Sequence, residues 1–354
     1  MYGSLASELS LILAIDFGTQ SVRALAYAQS GECRAKHQLP IDQYQHPEPG
    51  WNEHDVEGFW TLLTASCQGL WGQGIDPAEI AAVVVTTQRA TVINLDEMGR
   101  PLRPAIIWTD QRRAPPRGRL PWLWRMLFGL LRIRPIVENL EAEAEANWLE
   151  RHQPELLAQT AHFLLLSGYL NYRLTGEFKD SAGSQVGYVP FDFKKQDWCA
   201  DSDWKWHSMA IKRYMLPGLA AVGETLGAVT AEAAEATGLP LALPVVAGAA
   251  DKACEVLGVG ALEAGVASVS AVPPQRSTPR GRNTSRWCRS CPHTQRHCLS
   301  TSTPKFRCFG VSGWLAGFSS SLAASSEGRL QSAVFRRRHC STNYWCKPSL
   351  APVV

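Results

Sequence analysis

The chain has 354 residues, 45% hydrophobic and 19% charged, which is enough apolar sequence for two cored domains and too much for a disordered protein. Its formal net charge of +3 hides a split: residues 271–354 hold eleven arginines and two lysines against one acid, Glu327, a net of +12, and residues 1–270 carry a net of −9. No run reaches the roughly 20 apolar residues that span a bilayer, and Cys33, Cys67, Cys199 and Cys254 outline no disulfide framework, so the cytoplasm is the expected location.

Residues 1–10 read as an N-terminal extension. The opening MYGSLASELSLILAID has no basic flank and runs into Asp16, which predicts a core strand rather than a secretory leader. Leu11–Ile15 is a short apolar run, a buried strand. Asp16 to Ser21 is a polar turn with Gly18 in it, and Val22–Tyr27 returns as a second strand, giving a hairpin with a polar tip. Asp55 reads as the N-cap of a helix over Val56–Leu70. Ala81–Thr86 is a strand ending in Thr87-Gln88-Arg89. Val92–Leu95 is another, closed by a turn at Glu97-Met98-Gly99. Ile106–Trp108 is a third, ending in Thr109-Asp110-Gln111-Arg112.

Leu120–Ile133, interrupted by Arg125 and Arg132, predicts an amphipathic surface helix that packs on something, with interfacial contact at a membrane as the minor alternative. Helices follow over Ala142–Arg151, Pro154–Thr160 and Phe163–Leu174, with Gly176 as the stop. Leu219–Gly223 reads as a loop, and Thr230–Thr237 as a helix closed by Gly238. Pro244–Ala247 is a strand that leads through Gly248-Ala249-Ala250 into a helix from Asp251 to Leu257. Short strands alternating with helices give an α/β domain.

Polar residues gather where these strands stop, the place where open α/β sheets bind ligands. Asp16 beside Gly18 and Thr19 suits a phosphate with Mg²⁺, although the same residues also make plain turns. Asp251 opens a helix after a run of small residues, so it is either a general base or an ordinary N-cap. Gln88, Arg89, Trp108 and Asp110 supply the amide, guanidinium, ring and carboxylate of a sugar pocket. The bland alternatives are core packing for Trp108 and a solvated pair for Arg112 and Arg113.

Taken together, IDFGTQSVRALAY, PGWNEHD, TTQRATVINLDEMGRPLRPAIIWTDQRR, LLLSGYLNYRLTGEFKDSAGSQVGY and VVAGAADKACEVLGVGAL resemble the FGGY carbohydrate kinases of the xylulokinase-like branch, over most of residues 11–263. The resemblance implies a duplicated actin-like (ribonuclease-H-like) fold, with ATP, Mg²⁺ and a sugar or polyol between two domains. It implies that Asp16 holds Mg²⁺, directly or through water, and that Gly18, Thr19 and Gln20 form the first phosphate loop. It further implies that Gln88, Arg89, Trp108 and Asp110 line the sugar pocket, and that Asp251 deprotonates the sugar hydroxyl.

The resemblance ends after Ser270, with the second domain largely missing. The expected organisation is a kinase N-terminal domain over 11–268 and an aberrant, basic, Cys-rich and disordered tail over 269–354. Cys288, Cys291, His293, His297 and Cys298 have zinc-ligand spacing, but no hydrophobic periodicity surrounds them. A frame offset accounts for more. Read one base out of step, codons permitted by Ala271–Arg280 spell GTTATVNTT, and later stretches permit YPAALPQHFN and EVQVFRGFWMVSWF. All three resemble the family's second-domain entry, in order. A one-base offset near Ser268–Val272 is therefore expected, and with it an inactive chain. The alternative is a non-catalytic sugar-binding or interaction fragment. Neither specific nucleic-acid binding nor membrane binding is expected, whereas an uncovered interdomain face predicts self-association or a homo-oligomer.

Overall fold

The computed structural model describes residues 10–260, together with the backbone of two strands in the tail. The Cys288–Cys298 cluster, the offset junction beyond Val269 and nearly all of the 1–10 extension lie outside the described residues.

Period-two alternation builds the first strand. In β1 (Leu11–Phe17) Leu11, Leu13, Ile15 and Phe17 are buried on one face, and Asp16 lies on the other. Strands β2 (Ser21–Ala28) and β3 (Cys33–Pro40) continue as an antiparallel meander. After β4 (Glu53–His54), Asp55 caps α1 (Val56–Trp71) by accepting from the Gly58 N–H at 3.1 Å. The α1 stripe Val56, Phe59, Leu63, Cys67, Leu70 recurs every three or four residues and packs on β2 and β3. Strand β5 (Ile80–Thr87) returns parallel to β1, and β6 (Val92–Leu95) and β7 (Ala105–Ile106) follow. The third strand expected from the sequence stops two residues early. The Asp110 N–H bonds the Ile107 carbonyl at 2.8 Å and turns Trp108 out of the ladder.

Four helices come next: α2 (Trp122–Leu130), α3 (Arg134–Glu143), α4 (Glu145–His152) and α5 (Pro154–Gln159). The helix expected over 142–151 breaks at Ala144, whose ψ of 115° is extended backbone. Of the nine residues of α2 only Phe128 is buried, its ring lying between Trp124 and Trp204. That helix closes on Arg132, which holds φ at 57° while the Ile133 N–H reaches back to the Phe128 carbonyl. Glycine usually occupies that left-handed position, and a side chain there costs roughly 1–2 kcal/mol. Arg132→Gly is therefore expected to stabilise the protein by about 1 kcal/mol, read as a higher urea midpoint.

Phe163–Leu174, expected as one helix, is two elements. Strand β8 (His162–Leu165) pairs antiparallel with β6, Val92 opposite Leu165, and α6 (Leu166–Thr175) then ends on Gly176 at φ 72°. Strand pairing has overridden a continuous apolar pattern. Next come β9 (Lys179–Ser181), β10 (Phe191–Asp192), β11 (Asp197–Trp198) and α7 (Lys205–Ser208). Strand β12 (Gly218–Ala220) pairs parallel with β9, where a loop was expected. Then follow β13 (Thr225–Ala228), α8 (Ala231–Thr237) with its N-cap Thr230, β14 (Pro244–Val246) and α9 (Asp251–Gly258). The tail strands β15 (Val266–Val269) and β16 (Ala333–Arg336) pair antiparallel.

The main sheet runs β13-β14-β5-β1-β2-β3, and a smaller one runs β4-β7-β6-β8. Helices α1, α6 and α8 touch one another and cover one face of the main sheet, with Phe17 edge-on to Phe59 at 6.1 Å. A second core gathers around Trp148, Phe163, Phe191 and Met209. The chain divides into two compact units, 1–254 and 255–354.

Candidate active site

Strands β1, β5 and β14 are neighbours and run parallel, so their carboxyl ends lie along one edge of the sheet. The first carries Asp16, the second Gln88 and Arg89, and the third leads to Asp251. The edge is the usual ligand position of an open α/β sheet.

At the first strand end the Gly18 N–H closes the hairpin tip on the Ser21 carbonyl at 3.1 Å. Thr19 is fixed twice: its hydroxyl accepts from Trp108 Nε1 at 2.9 Å, and its carbonyl accepts from the Tyr44 hydroxyl at 2.5 Å. The amides of Thr19 and Gln20 then donate to no group among the described residues. Asp16 Oδ2 accepts from Arg23 Nη1 at 2.7 Å, and Oδ1 accepts from none among the described residues. One carboxylate oxygen and two amides without an acceptor among the described residues fit a phosphate with its Mg²⁺, which keeps water ligands and takes few from protein. No cluster of three or more His, Cys, Asp or Glu that could hold a metal occurs among the described residues.

At the second strand end Gln88 is only 2% exposed, yet neither its Oε1 nor its Nε2 has a hydrogen bond among the described residues. A buried polar atom without a partner costs about 1–3 kcal/mol. Burial pushes the nearby Tyr44 hydroxyl up to about 12, and the Gln88 amide moderates that rise without forming an aligned bond to it. Arg89 is half-buried, and Ala90 beside it holds φ at 60°, a strained value for a side-chain-bearing residue.

Before Asp251 the chain is pinned from three sides. Thr86 Oγ1 donates to the Ala249 carbonyl at 2.7 Å, Ser181 Oγ donates to the Gly248 carbonyl at 2.5 Å, and the Ala250 N–H donates to the Gly183 carbonyl at 3.1 Å. A methyl on Gly248 would stand 2.8 Å from both Val84 Cγ2 and the Val85 carbonyl oxygen. Gly248→Ala is expected to cost about 1–3 kcal/mol, seen as a lower denaturation midpoint. Asp251 Oδ1 accepts from the Lys252 N–H at 2.7 Å, in the first turn of α9.

Asp110 is turned inward. Its oxygens accept from the Asn52 N–H at 2.7 Å and from the Arg112 N–H, Nε and Nη2 at 2.8 Å. Arg112 also donates to Glu53, which Arg103 shares, and its guanidinium lies 4.1 Å from the Trp51 ring and 4.7 Å from Trp148. With 2% of its side chain exposed, Arg112 is not half of a solvated pair; Arg113, at 55%, is the solvated one. Glu145 stands close by. Burial pushes its carboxyl up to about 7, offset in part by a backbone hydrogen bond, and Asp110 and Glu143 add to the rise.

Sequence reasoning left Tyr44, Thr86, Ser181, Gly183 and Asp180 without roles. Asp180 is fully buried, and burial pushes its carboxyl up to about 6 against the hydrogen bonds of Ser167, Ser181, Gln185 and Asn171. The string KDSAGS contained this signal, but nothing in it tells a buried strand end from a surface turn.

Residues 11–258 match the family model for the N-terminal domain of the FGGY family of carbohydrate kinases. Xylulose kinase of Escherichia coli is 31% identical over 264 residues, 73% of this chain and 52% of that protein. Glycerol kinase of Thermococcus kodakarensis is 28% identical over 263 residues, 72% and 50% respectively. The crystal structure of xylulose kinase from Rhodospirillum rubrum superposes with a TM-score of 0.60 at 26% identity, covering 73% of this chain and 56% of that one. The chain spans about half the length of the curated relatives it matches.

Proposed function

Since the chain belongs to the FGGY family of carbohydrate kinases, we propose that the protein serves ATP-dependent phosphorylation of a sugar or polyol hydroxyl. The observation that carries this reading is the single sheet edge on which Asp16, Gln88 and Asp251 end three neighbouring parallel strands. The Mg²⁺–ATP that such a reaction uses supplies the transferred phosphoryl group. Asp16 Oδ1 and the Thr19 and Gln20 amides hold the phosphate side. The buried Gln88 amide takes a sugar hydroxyl into its unfilled hydrogen bonds, and Arg89 and Trp108 border the same pocket. Asp251 accepts the proton of the attacking hydroxyl.

Residues 11–268 form the kinase domain in this reading, and 269–354 are the product of a one-base offset near Ser268–Val272. Phosphoryl transfer depends on neutralising charge around the phosphates, so the 354-residue chain is inactive and the frame-corrected protein is the enzyme. Transfer of labelled phosphate from ATP to pentuloses, hexuloses and polyols tests this. Labelled sugar phosphate is expected from the frame-corrected protein and from none of the reactions of the 354-residue chain. Failure of the corrected protein across the panel overturns the kinase reading, and turnover by the 354-residue chain overturns the offset. Gln88, Arg89 and Trp108 lie in the described domain, which favours one further reading of the 354-residue chain: it binds sugar without phosphorylating it. Calorimetry with the same panel measures that binding.

A further inference from the structure

We propose that α2 is a peripheral membrane anchor, whose outward face lies in the interface of a bilayer rich in anionic lipid. The proposal is independent of the kinase reading. Trp122, Leu123, Met126, Leu127, Leu130 and Leu131 are 40–81% exposed, and they recur in pairs every four residues. At 100° per residue this spacing places Trp122, Leu123, Met126 and Leu130 within about 60° of the direction opposite Phe128, with Leu127 and the C-cap Leu131 on the flank of that face. The helix is thus apolar on both sides, a pattern proper to a covered helix. No polar residue interrupts the outward face, so nothing on it would fix the register of a protein partner.

Charge selects the occupant. Residues 111–137 contain seven arginines and no Asp or Glu. Arg112, Arg113, Arg117, Arg119 and Arg134 are paired with carboxylates, while Arg125 and Arg132 have no ion pair among the described residues. Arg125 lies about 60° around the helix from Trp122 at 100° per residue, and Arg132 stands just beyond the last turn. Both flank the apolar face where headgroups would lie. Two copies of α2 paired on this face would bring these cations together, which disfavours a dimer. A short helix with Trp and Leu on one side and arginines at its edges suits an anionic interface. No described helix is long and apolar enough to cross a membrane, and α2, at nine residues, would lie on the surface.

Co-sedimentation of the full 354-residue chain with vesicles tests the proposal. One set contains phosphatidylglycerol with phosphatidylcholine, the other phosphatidylcholine alone. The tail, with its net +12, also attracts anionic lipid, so every comparison keeps it intact. The chain is expected to sediment with the anionic set, and M126D/L130D to lower its apparent affinity at least tenfold. R125E/R132E is expected to lower it several-fold on the anionic set alone. All four positions are on the surface, and an unchanged melting temperature confirms folding. Equal sedimentation of wild type and both variants assigns the binding to the tail and overturns the proposal. So does the absence of sedimentation, or a concentration-dependent dimer that L130D dissolves.

Discussion

Asp251→Asn in the frame-corrected protein is expected to lower kcat by about 10²–10⁴-fold, the usual worth of a positioned general base. The asparagine keeps the size of the side chain and still accepts from the Lys252 N–H through its carbonyl, so α9 and the loop before it stay in place. What it loses is the capacity to take a proton. KM for the sugar should therefore move little, since the lost interaction belongs to the transition state. Steady-state kinetics give both numbers. Stability should stay within about 0.5 kcal/mol of wild type by urea denaturation. Retention of more than a tenth of wild-type kcat would remove Asp251 from the base role. Asp16→Asn is the contrasting case: on the proposed reading it weakens a Mg²⁺ contact and leaves proton removal alone, so it should raise the Mg²⁺ concentration needed for half-maximal rate.

The second large effect is a pH slope set by Asp180. Its carboxyl is fully buried, and burial holds it at about 6 rather than 3.8. Below about pH 4 the folded and unfolded chains both hold the proton, so the group contributes no slope. Between about pH 4 and 6 the unfolded chain has released its proton while the folded chain keeps it, and stability falls as pH rises. Above the folded value the loss is complete, on the order of 3 kcal/mol at 1.36 kcal/mol per unit. Asp180→Asn cannot titrate, so its stability should be flatter over that window. Urea denaturation of both proteins from pH 4 to pH 7 measures the difference, and parallel curves would show that Asp180 is ordinary. The same variant should slow turnover in the frame-corrected protein, because Asp180 accepts from the Ser181 N–H and Ser181 Oγ holds the Gly248 carbonyl three residues before Asp251.

Features that depend on local chemistry were legible in the sequence. Asp55 caps α1, Gly176 and Gly238 close their helices at positive φ, and Asp251 opens α9. The alternation of β1 gave its buried face. Elements that depend on a distant partner were not legible. Phe163, Leu164 and Leu165 fit a helix pattern and become a strand because β6 lies beside them. Strand β3 carries Arg34, Lys36 and His37, polar residues suited to a sheet edge, so it shows no apolar run. In the candidate site, the placement of Asp16, Gln88 and Asp251 at or after strand ends was legible from position, whereas their roles came only from the family resemblance. The inward turn of Asp110 was not legible, because it depends on Asn52, more than fifty residues earlier.

The Asp110–Arg112–Glu53 knot between Trp51 and Trp148 also bears on how this lineage can vary. Replacing one member strands a buried charge, which costs roughly 3–5 kcal/mol, whereas replacing the whole set by apolar residues need cost little. Stepwise mutation must therefore cross a barrier that a simultaneous change avoids. Arg103, buried against Glu53, belongs to the same set, so these four residues should be inherited as a block, identical or wholly exchanged between relatives.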